Sequence, residues 1–288
     1  MVIARLRAAG CVFAEEEAAM LISAAVSPDE LDAMVARRAA GEPLEQVVGW
    51  AEFAGLRVLV DPGVFVPRRR SEFLVSVAVG LARRRSAAGA PVLVDLCCGT
   101  GALGLAVAAG LAVAAGLAGS EAGQAGQATP AGVRLGGASF GGIRLGAELH
   151  AADLDPAAVA CARRNVEPAG GHVHAGDLFG ALPAGLRGRI GVLTCNAPYV
   201  PTTEIAFMPA EARDHEALAA LDGGTDGLAV LRRVAAAAPA WLAPGGVLLV
   251  ETSERQATAM TAAMTAAGLA PQVHEDDESG ATVVTGVK

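Results

Sequence analysis

The 288-residue sequence contains little positive charge and few aromatic residues. Lys288 is its only lysine, its formal net charge is −8 at pH 7, and aromatic residues make up 3% of the chain. Proteins that hold nucleic acid need a basic surface for the phosphates, and many add aromatic side chains on which bases stack. The composition therefore argues against stable nucleic-acid binding.

The sequence also lacks the signals of secretion and of a zinc site. No basic region followed by an apolar core and a cleavage site is present at the N-terminus, and the five cysteines do not have the spacing of metal ligands. We therefore expect a cytoplasmic protein in a reducing compartment, with no metal. The cysteines are Cys11, Cys97, Cys98, Cys161 and Cys195.

One uncharged run could be mistaken for a membrane span. Residues 102–119, ALGLAVAAGLAVAAGLAG, just reach the length that crosses a bilayer. They are rich in alanine and glycine, poor in bulky apolar residues, and continue directly from a glycine turn. We therefore predict a buried helix here and no membrane contact.

The beginning of the chain predicts a small helical unit followed by an extended one. The acidic start of AEEEAAMLISAAV and the Ser-Pro-Asp-Glu start of the next segment are typical of helix N-termini. We assign residues 1–43 to an N-terminal helical domain. Residues 44–66 alternate between apolar and polar positions, with turn residues at Gly55 and at 61–63, which predicts a β-hairpin within a linker over 44–70.

From Pro91 onward the pattern alternates between strands and helices. PVLVDLCCGTGALGLAVAA predicts a strand, a glycine turn and a helix, and AELHAADLDPAAVACARRNV repeats that order with an acidic turn. Further strands are predicted in HVHAGDLF, IGVLTCNAPYV and GGVLLVETS, with a helix at about 226–242. This alternation predicts an α/β domain over 71–288, with a doubly wound, mostly parallel sheet of seven strands. The tail PQVHEDDESGATVVTGVK should add an antiparallel hairpin at the sheet edge.

Residues 119–146 do not fit this alternation. Their glycine, alanine and glutamine content cannot bury enough apolar surface to offset the entropy lost on ordering. We predict a mobile insertion here, between the first helix and the second strand of the α/β domain.

A glycine turn follows the first strand of that domain. In DLCCGTGALG, Gly99 and Gly101 let the backbone turn tightly and approach a ligand closely, while Cys97 occupies the first position of the usual Gly-x-Gly-x-Gly pattern. Dinucleotide and phosphate sites use similar turns, but no Lys-Ser/Thr pair follows the glycines as a P-loop requires. The candidate cofactor-binding residues of this segment are Asp95, Cys97, Gly99, Thr100 and Gly101.

Acidic residues end the next two strands. Asp153, in AADLDP, stands where a carboxylate can accept hydrogen bonds from both ribose hydroxyls of an adenosine. Asp177 and Leu178, in GDLF, suit the amino group and the ring face of adenine, and Leu154 is a further candidate. Taken singly, the glycine turn is as compatible with a plain tight turn as with a ligand site, and Asp153 is as compatible with a helix N-cap as with a ribose contact.

The fourth strand ends in an unusual sequence, VLTCNAPYVP. With the glycine turn, the ribose acid and then Asn196-Ala197-Pro198-Tyr199 in order, the sequence resembles the class I S-adenosylmethionine-dependent methyltransferases. Within them it is most similar to the glutamine-N5 methyltransferases of peptide chain release factors. The resemblance covers about residues 42–288 and includes the linker VPRRRSE and the segment EARDHEALAALDGGTDGLAVLRRV.

The resemblance implies a role for each residue of the motif. A carboxamide nitrogen is a poor nucleophile, and a site that methylates it needs acceptors for both of its N–H groups. Asn196 Oδ1 would accept one, and the backbone carbonyl of Ala197, held extended by Pro198, would accept the other. Tyr199 would pack against the planar amide, and Asn196 would also contact the cofactor. Such positioning can lower the barrier without a strong base.

The resemblance also implies S-adenosylmethionine as cofactor, S-adenosylhomocysteine as product, a release factor as acceptor and a monomeric protein. Three departures from the family pattern bear on the acceptor: Ala197 replaces a proline, Cys97 replaces a glycine, and residues 69–71, Arg-Arg-Ser, replace Pro-Glu-Thr. Open alternatives are an adenine-N6 nucleic-acid methyltransferase, whose exocyclic amine presents the same two N–H groups, a methyltransferase of another protein, peptide or small molecule, and a non-catalytic cofactor-binding protein.

Overall fold

A computed structural model describes residues 1–85, 90–116 and 145–288. The predicted insertion at 119–146 therefore lies outside the described residues, apart from Leu145 and Gly146. Gly146 donates its N–H to the carbonyl of Ala108 at 2.9 Å, and a Cβ added to it would lie 2.3 Å from the backbone nitrogen of Ala112. The chain at Gly146 thus packs closely on the segment that contains Ala108 and Ala112.

Ten α-helices and nine strands are found among the described residues. The helices are α1 Val2–Ala8, α2 Ala14–Ala24, α3 Pro28–Ala39, α4 Leu44–Val48, α5 Glu72–Arg85, α6 Ala102–Ala114, α7 Pro156–Val166, α8 Ala210–His215, α9 Ala229–Trp241 and α10 Glu254–Ala266. The strands are β1 Trp50–Phe53, β2 Leu56–Leu59, β3 Val92–Leu96, β4 Glu148–Asp153, β5 His172–Ala175, β6 Ile190–Cys195, β7 Leu242–Thr252, β8 Ala270–Asp276 and β9 Ala281–Val287.

Seven of these strands form the predicted α/β sheet. Their order is β5-β4-β3-β6-β7-β9-β8, and the neighbours from β5 to β7 are parallel. The tail forms the predicted hairpin, because β9 runs antiparallel to both β7 and β8. The strand order reverses between β3 and β6, which is where doubly wound sheets open a crevice for a ligand.

The sheet is covered on both faces, as continuous apolar strands require. Helices α5, α6 and α7 pack on one face, and α9 and α10 pack on the other. Side chains alternate between the two cores along a strand. In β3, Leu93 belongs to the core under α5–α7, whereas Val94 and Leu96 belong to the core under α9 and α10. The doubly wound architecture predicted from the sequence is therefore confirmed.

Helix α6 makes up most of the described part, 102–116, of the uncharged run at 102–119. It has 13 residues, and its side chains from Ala102 to Ala112 are all buried. Across the ranges that the structure describes, no helix combines the length and the apolar character that crossing a bilayer requires.

The N-terminal helices have a small apolar core of their own. Leu6, Leu21 and Val35 are fully buried in it, and Val47 of α4 joins them. The hydroxyl of Ser27 accepts the N–H of Glu30 and so caps α3. The division of the chain at residues 43 and 70 stays a prediction.

The hairpin is shorter than the sequence predicts. Residues 44–48 form helix α4, so the prediction of extended structure over them is wrong. Gly49, with φ 83°, adopts the left-handed conformation that ends this helix after little more than one turn, and alternation over five residues does not distinguish a short helix from a strand. Strands β1 and β2 then pair across Ala54 and Gly55, whose φ angles of 49° and 77° suit a tight two-residue hairpin turn.

Candidate active site

A cavity of about 440 Å³ opens at the carboxyl edge of the sheet, where the strand order reverses. Its volume is in the range of small-molecule sites. All the site residues predicted from the sequence, with the exception of Gly101, line this cavity. The structure therefore brings together groups from the ends of β3, β4, β5 and β6.

Asp95 lies at the floor of the cavity and is fully buried. One carboxyl oxygen accepts the Thr194 hydroxyl and the other accepts the N–H of Gly104, both at 2.9 Å. Burial raises the pKa of Asp95 to about 7, although both hydrogen bonds act in the opposite direction. Asp95 thus ties β3 to β6 and to the first turn of α6, and any direct contact with a cofactor stays a prediction.

The glycine turn joins β3 to α6 with three residues in the left-handed region. The φ angles are 54° at Cys97, 55° at Gly99 and 78° at Gly101. A Cβ on Gly99 would meet no atom within 4 Å, whereas one on Gly101 would lie 2.6 Å from Val166 Cγ2. Gly99 therefore borders open space, and Gly101 is needed for the close packing of α6 on α7.

Asp153 ends β4 beside this turn and is half-buried. Its Oδ2 accepts the N–H of Gly99 and its Oδ1 accepts the N–H of Asp155, both at 2.9 Å. Each oxygen of a carboxylate can accept a second hydrogen bond, so both remain available to a ligand. Burial is the main cause of the raised pKa of Asp153.

The adenine-side candidates lie at the ends of β4 and β5. Leu154 is 67% exposed, and Leu178 holds a positive φ of 47°. Asp177 accepts a hydrogen bond of 2.5 Å from Arg233 of α9, which also lines the cavity. A cation that the sequence did not nominate thus borders the predicted nucleoside site.

The motif after β6 is held by contacts from distant segments. Asn196 Nδ2 donates to the hydroxyl of Ser71 at 3.2 Å, and Ala197 is buried. The carbonyl of Tyr199 accepts from Gln256 Nε2 at 2.8 Å, and Gly227 lies so close that a Cβ there would be 2.2 Å from that carbonyl oxygen. The backbone of the motif is therefore fixed from both sides.

The phenol of Tyr199 is also engaged. Its hydroxyl donates to Glu251 Oε1 at 3.1 Å and accepts a hydrogen bond from Arg70. Burial, and then the negative charge of Glu251, raise the pKa of Tyr199 above its ordinary value. The phenol therefore stays neutral and keeps its proton for Glu251.

Several of these supporting residues were not nominated from the sequence. Gln256 could have been found, because Ser253 and Gln256 have the spacing of a capping box at the start of α10. Ser71 was noted only as a departure from a linker pattern. Glu251 has no local signal, since its role depends on pairing across the fold. No group of three or more His, Cys, Asp and Glu side chains that could hold a metal occurs in the described ranges.

Comparison with known proteins assigns the family. No family model matches the sequence. The release factor glutamine methyltransferase of Streptomyces coelicolor is 35% identical over 223 residues, which cover 77% of this chain and 67% of that protein. The enzyme of the same name from Geobacter sulfurreducens is 32% identical over 266 residues, 91% of this chain and 79% of the relative. The chain belongs to the release factor glutamine methyltransferase family.

A relative with a different name also matches. The 4-amino-L-phenylalanine/4-methylamino-L-phenylalanine methyltransferase of Streptomyces pristinaespiralis is 31% identical over 259 residues, 84% of this chain and 76% of that protein. This chain is thus also similar to an enzyme that is named for aromatic amines.

Proposed function

We propose that this protein transfers a methyl group from S-adenosylmethionine to the side-chain nitrogen of a glutamine in a peptide chain release factor. The observation that carries the proposal is the position of Asn196-Ala197-Pro198-Tyr199 in the same cavity as the glycine turn and Asp153. One end of the cavity offers groups for a nucleoside, and the other offers acceptors for a planar amide.

The residues at the nucleoside end suit S-adenosylmethionine. Asp153 keeps free acceptor capacity for the two ribose hydroxyls, and the open space beside Gly99 admits the methionine part. Asp177 and Leu178 would contact adenine. The cofactor would supply a methyl group activated by a sulfonium: as the nitrogen–methyl bond forms the methyl–sulfur bond would break, leaving S-adenosylhomocysteine, and the methylated nitrogen would release one of its two protons to solvent.

At the acceptor end, the motif would position an amide rather than deprotonate it. No described residue donates to Asn196 Oδ1, and Nδ2 is used on Ser71, so Oδ1 is free to accept one N–H of the glutamine. The Ala197 carbonyl would accept the other. Both hydrogen bonds strengthen as positive charge develops on the nitrogen, and that gain in the transition state accelerates the reaction.

We further propose the division of labour along the chain. Residues 1–43 would bind the release factor, and residues 44–70 would connect them to the α/β domain. Residues 71–288 would bind the cofactor and catalyse the methyl transfer. We also propose a monomer that works in the cytoplasm; all five cysteines are free, which suits a reducing compartment. The acidic composition supports the absence of stable nucleic-acid binding.

A methyl-transfer assay tests the proposal directly. Labelled S-adenosylmethionine, a purified bacterial release factor and the protein should give one added methyl group on a single glutamine, located by peptide mass spectrometry. The matched control is the release factor with that glutamine replaced by alanine, and an adenine-containing oligonucleotide tests the nucleic-acid alternative. Methylation of the oligonucleotide and not of the release factor would reject the proposal.

A second candidate function is N-methylation of an aromatic amine in a small molecule. The similarity to the enzyme from Streptomyces pristinaespiralis favours it. An amine conjugated to a ring, like a carboxamide, is planar and presents two N–H groups, so the same pair of acceptors would serve. Adding 4-amino-L-phenylalanine to the assay distinguishes the two acceptors.

A further inference from the structure

The side chain of Tyr199, the last residue of the Asn-Ala-Pro-Tyr motif, contacts two polar side chains from other segments. Nε of Arg70 donates to Oε1 of Glu251 at 3.0 Å, and the hydroxyl of Tyr199 donates to the same oxygen at 3.1 Å. A second nitrogen of Arg70 donates to that hydroxyl. We call Arg70, Tyr199 and Glu251 the Arg70 cluster, because its three hydrogen bonds form a closed ring.

Burial makes the cluster depend on its arginine. The side chain of Glu251 is 2% exposed, and its Oε2 has no hydrogen-bond partner in the described part of the chain. A buried carboxylate is costly unless a cation pairs with it, and Arg70 forms its ion pair. The guanidinium also lies 5.6 Å from the centre of the Tyr199 ring, within the range of a cation–π contact.

The cluster fixes the direction of the Tyr199 ring. A neutral phenol has one proton to donate and lone pairs to accept with. Here the proton goes to Glu251 and a lone pair accepts from Arg70, while Gln256 holds the carbonyl of the same residue. Both ends of Tyr199 are therefore held.

The arginine is also a feature of this chain rather than of the linker pattern it resembles. Residues 69–71 replace Pro-Glu-Thr of that pattern, so the pattern has glutamate at position 70. A glutamate there would place a second acid near Glu251 and could not donate to either partner. The cluster therefore requires the substitution.

We propose that Arg70 is a positioning residue of methyl transfer: through Glu251 and the Tyr199 hydroxyl, it holds the Tyr199 ring against the plane of the acceptor amide. This inference rests on the proposed function. A fixed ring limits the amide to orientations in which its nitrogen faces the methyl group, whereas a loosened ring lets the amide rotate. Arg70 acts on the acceptor, so its loss leaves the cofactor site intact.

The kinetic test uses Arg70→Ala, Arg70→Lys and, as a matched control, Arg69→Ala. Arg69 is an exposed neighbour that makes no side-chain hydrogen bond or ion pair with any described residue. We expect Arg70→Ala to lower kcat on the release factor about tenfold, the scale of one lost hydrogen bond to a charged group. The Kd for S-adenosylmethionine should stay within about twofold, since no oriented bond to the cofactor is lost. Lysine, which can pair with Glu251 but lacks the planar fork, should restore part of the activity.

A double-mutant cycle then asks whether Arg70 acts through Tyr199. If it does, adding Arg70→Ala to Tyr199→Ala should lower kcat little further, because the interaction is already gone. Fully multiplicative effects would overturn the inference, as would a parental kcat in Arg70→Ala.

An NMR measurement on Tyr199 tests the same inference without requiring methyl transfer to occur. Tyr199 is the only tyrosine of the chain, so labelling tyrosine at the ring carbon that bears the hydroxyl gives a single NMR signal. Arg70→Ala should shift and broaden this signal, and Arg69→Ala should leave it in place. An unchanged signal in Arg70→Ala would reject the positioning role even if no acceptor is methylated. If Arg70→Ala shifts the signal but the parental protein does not methylate release factors, the proposed function is rejected, while the role of Arg70 in positioning Tyr199 is retained.

Discussion

The side-chain nitrogen of Asn196 donates to the hydroxyl of Ser71 across 3.2 Å. Ser71 is buried at the end of the short 3-10 helix Arg69–Ser71, directly before α5, whereas Asn196 follows β6. The contact therefore joins the segment directly before α5 to the carboxyl edge of the sheet. Because the nitrogen is used on Ser71, Oδ1 is the end of the carboxamide that would be left for the acceptor in the proposed reaction.

Ser71→Ala should reduce catalysis more than binding. Without the hydroxyl, the Asn196 amide can rotate and present its nitrogen to the acceptor, which lacks a matching group. We expect kcat to fall roughly tenfold, as for one oriented hydrogen bond, with little change in KM for the release factor. Ser71→Thr keeps the hydroxyl and should stay active. Steady-state kinetics of the two variants test this, and a parental kcat in Ser71→Ala would contradict it.

Asp153→Ala should weaken the binding of S-adenosylmethionine and leave the binding of the release factor unchanged. It removes an acceptor for two ribose hydroxyls, and we expect a loss on the order of 2–3 kcal/mol, because hydrogen bonds to a charged acceptor are among the stronger ones. Titration calorimetry with S-adenosylmethionine measures it. Asp29→Ala, at an exposed position of α3, is the control. Unchanged affinity in Asp153→Ala would move the ribose to another acid.

The two glycines of the turn should respond differently to alanine. Gly99→Ala adds a methyl group that points into open space. Because φ is 55° at this position, we expect about 1–2 kcal/mol of backbone strain, together with weaker binding of the cofactor. Gly101→Ala has the same kind of strain, at φ 78°, and its added methyl group also clashes with Val166. It should therefore lower the free energy of unfolding by more than Gly99→Ala does. Urea unfolding of the ligand-free variants and calorimetry with cofactor separate these effects. Equal stability of the two variants would show that the contact with Val166 relaxes freely.

How far the sequence predicts this molecule depends on the range of the contact. The sheet, the glycine turn and the Asn motif follow local strand–turn–helix signals, and they were predicted. The bond from Asn196 to Ser71 joins residues 125 positions apart, and that from Arg70 to Glu251 joins residues 181 apart. No local pattern encodes such pairs. The prediction over 44–48 was wrong for a different reason: the five residues of α4 are too few to distinguish the period of a helix from that of a strand.

The pH dependence of stability should carry a signature of Asp95. Its pKa is about 7 in the folded protein and 3.8 for an ordinary aspartate. Between these values the folded state binds more protons than the unfolded state, so this group lowers the free energy of unfolding as pH rises from about 4 to about 7. Asp95→Asn removes the titration. It keeps the bond to Gly104, and Thr194 can then accept while donating to Val94, whose carbonyl lies 3.3 Å away.

Urea midpoints between about pH 5 and about pH 8 measure this contribution, as the difference between the parent and Asp95→Asn. We expect the variant to gain stability over the parent toward the alkaline end of that range. A difference that does not change with pH would mean that Asp95 is charged throughout.

Asn196 itself should govern chemistry more than the binding of either ligand. Its Oδ1 would orient the acceptor amide, and that hydrogen bond strengthens as positive charge develops on the nitrogen. Asn196→Ala should therefore lower kcat by roughly a hundredfold or more, as the loss of other oriented transition-state contacts does, with little change in the KM for the release factor. Rapid-quench measurement of a single turnover separates this effect from product release.

Asn196→Asp is the sharper variant. It keeps the size of the side chain and an acceptor oxygen toward the glutamine, but it can no longer donate to Ser71 when ionised. An acceptor held by its two N–H groups should still bind, and some activity should remain, more than in Asn196→Ala. The order of rates, parent above Asn196→Asp above Asn196→Ala, follows from an acceptor oxygen at this position. If Asn196→Ala methylates the release factor at the parental rate, the amide is oriented by other groups and the assignment of this motif fails.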